Sequence, residues 1–441
     1  MSAETLLTNS TENAGAVNTR NRFIFIALFC CVAFFVLGTT LNLGGLVLPL
    51  NVAAIGFIFL ISMIGINFYT FIRENFQVLA FFVVLMLSFG FYSALIEQVM
   101  FHHNQTRFEL GFLRISINNC VMFFIGMCLI YLFKKFNLDR YELLKMFFYV
   151  SVLNSALILF SFINQDFRVA LESILFQSPT SNINYMELDW RLRGIAAGGG
   201  ASLSMFNAFS VMCGVLLTEN KRVSPTVFLF GSLIITASCI VIARTGLMVS
   251  LAILSFWIFL NLLKPQRQTM LPLIAVFSIF IALVISYIDV FMRVIPWALE
   301  IFLNILDGRG ASSKSTNELF SMFDIPDQLV NLLLGFGFIE SSVEFRSDSG
   351  YVKTMYAVGA LAAFALYALI FFILFKYPVK QIEKGKVYWI LFATMLVFTE
   401  IKEPFMYQNY LGRALLLFVL FFSPFITVGR RNSANSIRRH N

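Results

Sequence analysis

About twelve apolar runs, each near twenty residues long, leave this chain little choice of fold. A hydrocarbon core roughly 30 Å thick is crossed by about 20 residues of helix. Backbone polar groups in lipid must find partners within their own segment, so runs of that length form helices. They fall near 23–39, 50–70, 76–95, 115–133, 146–163, 203–218, 225–243, 245–262, 270–289, 353–375, 387–400 and 410–428. The expected fold is all-α: one polytopic membrane unit covering 1–441 with about 12 transmembrane helices. Only 13% of residues are charged and 59% are hydrophobic. Soluble domains carry about a quarter charged residues, so most of this surface is expected to face lipid. A net charge of +8 does not point to nucleic acid. The basic residues are dispersed at the ends of apolar runs, as membrane topology requires, and not gathered on one segment.

Lys and Arg set the orientation. With the N-terminus in the cytoplasm, Arg20, Arg22, Arg73, Lys134, Lys135, Arg140 and Lys145 fall inside, as do Lys221, Arg222, Lys264, Arg267, Lys376, Lys380, Lys384 and Lys386. The C-terminal tail with Arg430, Arg431, Arg438 and Arg439 is inside as well, so both termini are expected in the cytoplasm. Two connections are long, 164–202 and 290–352, and both fall outside. Long loops in compact folds are usually functional. The second contains apolar stretches too short to span, 296–306 and 328–338, which read as helices lying on the outer leaflet. No cleavable leader is expected before Phe23. The six cysteines lie inside apolar runs without metal spacing, so neither a disulfide nor a metal cluster is expected.

Outside, arginine dominates: Arg107, Arg114, Arg168, Arg191, Arg193, Arg244, Arg293, Arg309, Arg346 and Arg413, against Lys314, Lys353 and Lys402. A guanidinium binds phosphate oxygens in pairs and keeps its charge, which suits a diphosphate ligand, although any one of these could be a snorkelling anchor. Arg244 stands out because two apolar runs flank it with almost no loop between them. A charge near membrane depth costs at least about 2.5 kcal/mol and commonly marks function. Arg191 and Arg193 precede Gly194 and the triplet Gly198–Gly200, where backbone N–H groups and a nearby helix start could receive an anion. Asp348 stands immediately before a span and could act as a general base or orient a hydroxyl, or cap the helix together with Ser347 and Ser349. Asp307-Gly308-Arg309-Gly310 reads as a tight turn, with Arg309 and Arg346 as further anion ligands. Glu400, Lys402 and Glu403 share a short outside turn and read as a solvated charge cluster. His102 and His103 read as solvated loop residues. No nucleotide loop, zinc helix or Ser/His/Asp arrangement appears.

Three local patterns resemble the O-antigen polymerase and O-antigen ligase superfamily. They are Ala243-Arg244-Thr245-Gly246 between adjacent spans, Arg191-Leu192-Arg193-Gly194 before a span, and Gly335-Phe336-Gly337-Phe338 followed by Ser347-Asp348-Ser349-Gly350-Tyr351. The ligases carry a His-Asn pair shortly before that Tyr. Asp348 stands there instead, which favours the polymerase branch. The resemblance implies a glycosyltransferase of the bacterial inner membrane, active in polysaccharide or lipopolysaccharide biosynthesis. Its donor would be a glycan on undecaprenyl diphosphate and its acceptor a second lipid-linked repeat unit. It further implies catalytic roles for Arg244 and Asp348 and substrate binding by Arg191, Arg193, Arg309, Arg346 and Tyr351. No metal or other cofactor is implied, and a chain-length regulator protein is a candidate partner. A ligase and a lipid-linked sugar transporter are the alternatives. A transporter would need polar groups along its spans, and here the spans are nearly free of charge.

Overall fold

The computed structural model describes residues 23–101, 110–177, 185–186, 191–263, 300, 304, 306–308, 325–326, 328–337 and 347–423. The run near 270–289, the stretch 296–299, Arg107, Arg309, Arg346, His102 and His103 lie outside the described residues.

Helices dominate what is described. In chain order they are α1 (Phe23–Leu37), α2 (Leu50–Met63), α3 (Phe68–Glu74), α4 (Phe76–Phe101), α5 (Gly111–Lys135), α6 (Arg140–Ile163) and α7 (Gln165–Ile174). There follow α8 (Ala201–Glu219), α9 (Pro225–Ile242), α10 (Arg244–Leu262), α11 (Leu329–Leu334), α12 (Gly350–Gln381), α13 (Lys386–Thr399) and α14 (Asn409–Phe421). Among the described residues seven helices are long and apolar enough to cross a membrane: α4, α5, α6, α8, α9, α10 and α12. The chain is thus a multi-pass membrane protein. α1, α13 and α14 are apolar but shorter.

The apolar run near 50–70 is not one straight helix. It divides into α2 and α3, bent by 98°. The cause is tertiary: a Cβ on Gly65 would lie 2.0 Å from the Tyr131 hydroxyl of α5, so the chain turns where a glycine lets that ring approach. Counting the bent pair as one span gives up to eight.

A second departure from the expected all-α chain is a small antiparallel hairpin, β1 (Thr40–Leu43) with β2 (Leu46–Pro49). Its two-residue turn is Gly44-Gly45, both at positive φ, the backbone that tight hairpins require. The Asn42 side chain closes the turn by accepting from the Gly45 N–H at 3.1 Å.

α8 is the centre of the bundle, packed by α6, α9, α10, α13 and α14. Of its apolar window, 94% is buried within the protein, against 17% for α4 at the rim. Small residues make this possible, as in other membrane bundles. A Cβ on Gly214 would sit 2.8 Å from the Phe148 and Phe228 rings. Inside the packing, Asn207 joins Ser151, Ser155 and Ser238 in a closed set of hydrogen bonds at 2.7–3.3 Å. These uncharged groups satisfy one another and tie α6, α8 and α9 together.

α12 is interrupted. Gly359 takes φ +78, and the loop Gly335–Gly337 fills the break. The Phe336 and Gly337 amides donate to the Tyr356 carbonyl at 2.6 and 3.2 Å, partnering a carbonyl beside the break. On the α4 side, Ser93 donates to the Gly337 carbonyl at 2.8 Å.

The basic turns meet at one end of the bundle. Arg140 reaches Gln381 and Glu383, Arg222 reaches Asp139, and the Asn220 side chain donates to the Lys384 carbonyl. The helices leaving that end carry Arg191, Arg244, Asp348 and the turn 400–408 to the other.

Candidate functional site

Arg244 is the first residue of α10, and only Ala243 separates it from the end of α9. Extended backbone at Ala243 (φ −168, ψ 145) makes that one-residue turn. Gly246 holds it against α8: its N–H donates to Ser204 Oγ at 3.1 Å, and a Cβ there would lie 2.0 Å from the Ser204 carbonyl oxygen. The Arg244 guanidinium is thereby pinned at a helix N-terminus, whose positive end adds to its own charge. It reaches Glu300, at 2.6 Å, on the second long loop.

Arg191 is brought to the same place by its backbone. Its N–H donates to the Val241 carbonyl at 2.6 Å, just before the α9–α10 turn. It adopts φ +62, which a residue with a side chain rarely does. Gly199 packs onto its carbonyl so closely that a Cβ would lie 1.9 Å away. The triplet therefore serves packing. The Gly198 and Gly199 amides are taken by the hydroxyls of Tyr410 and Tyr185, so these two N–H groups do not face an anion.

Arg193, two residues on, has a different fate. Its guanidinium is 1% exposed and held by Glu172 of α7, by the Phe176 and Ala197 carbonyls, and by the Tyr185 ring at 4.5 Å. Each of its nitrogens has a protein partner, so Arg193 ties α7 to the loop before α8. The pairing depends on Glu172, far away in sequence. Arg413 is likewise internal, donating to the Phe35 carbonyl near the end of α1 at 3.0 Å.

Asp348 is exposed beside the start of α12. Ser349 is the cap: its hydroxyl accepts from the Val352 N–H, while Ser347 Oγ accepts from the Ser349 N–H. The Asp348 carboxylate is left out of the cap. Tyr351, the second residue of α12, donates its hydroxyl to the Val397 carbonyl at 2.7 Å and packs on Tyr367, so it joins α12 to α13.

The turn after α13 is where sequence reasoning missed most. Glu400 is not solvated; it is fully buried. Its Oε1 accepts from the Tyr367 hydroxyl at 2.9 Å, and Oε2 accepts from the Phe405 and Met406 amides at 2.9 and 3.2 Å. Tyr367 is bonded in turn to Thr354, and Thr354 to Tyr407. Burial pushes the Glu400 carboxyl up to about 8, against the pull of those donors. Lys402 and Glu403, half-buried, stand among the residues just described. Burial lowers the Lys402 pKa; Glu403 and Asp348 oppose that shift, while Arg244 and Arg191 add to it. Burial raises the Glu403 carboxyl, with Asp348 acting the same way and Lys402, Lys353 and Arg191 pulling it down. The only local hint in the sequence is a carboxylate directly at the end of an apolar run.

The structure thus gathers Arg191, Arg244, Lys353 and Lys402 with Asp348 and Glu403 at one end of the bundle. Among the described residues, the side chains of Arg191, Asp348, Lys402 and Glu403 make no hydrogen bond or ion pair; they act on one another through space. Arg244 is paired with Glu300, while Arg191 and Lys402 keep no neutralising contact among the described residues, and cations so held can stabilise a polyanion. Among the described residues no three His, Cys, Asp or Glu side chains gather as metal ligands. Compared with known proteins, no family model, no curated protein and no solved structure matches the chain.

Proposed function

We propose that the chain is a polysaccharide polymerase of the O-antigen type, a membrane glycosyltransferase that uses a polyprenyl-diphosphate donor. The growing glycan is transferred to a sugar hydroxyl on a second lipid-linked repeat unit. The acceptor oxygen attacks the anomeric carbon, and the lipid diphosphate leaves with the electrons of the broken C–O bond. In this reading the site end of the bundle faces outward from the bacterial inner membrane, and both termini are cytoplasmic.

One observation carries the proposal: four cations converge at the end of an apolar bundle, and Arg191, which has no ion pair among the described residues, is fixed there by a backbone in the left-handed region. A strained, over-determined residue is a pointer to function. The leaving group is already good, so stabilising its charge with preorganised cations is the main task left to the protein. Arg244 and Arg191 are assigned to the diphosphate and Asp348 to the acceptor. Lys353 and Lys402 extend the cationic surface.

The decisive experiment supplies purified protein with one defined lipid-linked repeat unit and looks for a ladder of longer glycans. A ladder that disappears with Arg244→Ala supports the reading. A protein that binds no polyprenyl diphosphate and extends no glycan ends it.

A further inference from the structure

The transfer proposed above releases a proton from the acceptor hydroxyl, and a group must receive it. Glu300 is taken by Arg244 at 2.6 Å. Two other described carboxylates lie near the cations without an ion pair among the described residues, and their surroundings differ. Asp348 is exposed to water. Glu403 is half-buried on a turn seated directly against the start of α12. A Cβ on Gly350 would lie 2.8 Å from both the Pro404 nitrogen and Pro404 Cα, and the Gly350 N–H donates to the Glu400 carbonyl at 2.9 Å. The buried Glu400 carboxyl holds the far side of the same turn through the Phe405 and Met406 amides. The Glu403 backbone is therefore fixed between the two Gly350 contacts, directly before Pro404 and within electrostatic reach of Asp348. Its side chain has Lys402, Lys353, Arg191 and Asp348 within electrostatic reach, yet makes no hydrogen bond or ion pair among the described residues.

We propose that Glu403 is the catalytic base of the transfer, and that Asp348 orients the acceptor. The inference rests on the polyprenyl-diphosphate reading. As the acceptor oxygen bonds to the anomeric carbon, its proton passes to a Glu403 oxygen, and the C–O electron pair leaves with the diphosphate. Glu403 returns the proton to water after the product departs. The division of labour follows from environment. A carboxylate partly stripped of water beside another carboxylate takes up a proton more readily than an exposed one, and unequal pairs of this kind sort into separate acid–base roles.

The test uses full-length protein in nanodiscs, undecaprenyl diphosphate as binding probe, and lipid-linked oligosaccharide extracted from the source cells as substrate. Glu403→Gln is expected to bind the probe within threefold of wild type and to lose at least about 100-fold in turnover, the usual scale for a missing base. Glu403→Asp is expected to retain part of the activity, with the acidic limb of its pH–rate profile displaced. Turnover of Glu403→Gln within threefold of wild type overturns the base assignment and leaves the transfer reading standing. A wild-type protein that neither binds the probe nor extends the glycan overturns both. If the Gln variant does not fold, the Asp variant decides: an undisplaced acidic limb overturns the assignment.

Discussion

The Gly350 N–H donates to the Glu400 carbonyl at 2.9 Å, so the first residue of α12 and the buried carboxylate after α13 belong to one joint. The Asp348 segment and the 400–404 turn are set in register by that bond. Whatever disturbs Glu400 disturbs the acidic half of the site.

Glu400 should make stability depend on pH in an unusual sense. Burial holds its carboxyl near 8 in the folded protein, against 4.5 as the ordinary value. Below about 4.5 it is protonated in both states and contributes no slope. Between the two values the unfolded chain loses the proton while the folded one keeps it, so stability falls as pH rises, by at most about 1.4 kcal/mol per unit. Above about 8 the slope vanishes again. Thermal unfolding in detergent from pH 5 to 8.5 should show wild type losing more than Glu400→Gln. Parallel curves would refute the assignment.

Gly246→Ala should displace α10. The new methyl would meet the Ser204 carbonyl at 2.0 Å, a clash with backbone that no side-chain rotation relieves. Overpacking of this kind costs about 1–3 kcal/mol or more. The turn carrying Arg244 would shift with it. The unfolding temperature and the affinity for polyprenyl diphosphate should both drop, and an unchanged unfolding temperature would contradict the close helix crossing.

Arg191 and Arg193 should separate stability from function. Arg193 and Glu172 form a pair with side chains 1% and 4% exposed. Removing one partner from a buried pair costs about 3–5 kcal/mol, so Arg193→Ala should express poorly or unfold early. Arg191 is exposed at φ +62, a conformation glycine accepts freely. Arg191→Gly should leave stability equal or higher while glycan extension falls at least tenfold. Normal extension would remove Arg191 from the site.

Arg244→Lys should fail nearly as badly as Arg244→Ala. A lysine keeps the charge but lacks the planar fork that grips two phosphate oxygens. Chain extension in cells, with protein level checked by immunoblot, should be lost in both. Full rescue by lysine would show that charge alone suffices.

The helices were legible because lipid leaves a long apolar run no alternative. Arg244 was legible for a related reason, since no loop was available to carry its charge into water. The turn at Gly44-Gly45 had a local signature that the search for spans passed over. The bend at Gly65 had none, because it depends on Tyr131 of another helix. Arg191 and Arg193 look equivalent in sequence and part company only through Glu172 and Val241, brought near by the fold. The Glu400–Glu403 turn read as solvated because three of its four residues are charged. Its burial is imposed by Tyr367 and Gly350 of α12, which contact it across the bundle.

The interruption of α12 at Gly359 has a consequence for depth. Ala360 to Gln381 alone measures about 33 Å as helix, already enough to traverse the hydrocarbon. The preceding stretch is therefore surplus to the crossing. Gly350 to Val358 adds about 13 Å of helix beyond the break, with Tyr351, Lys353 and the preceding Asp348 at its far end.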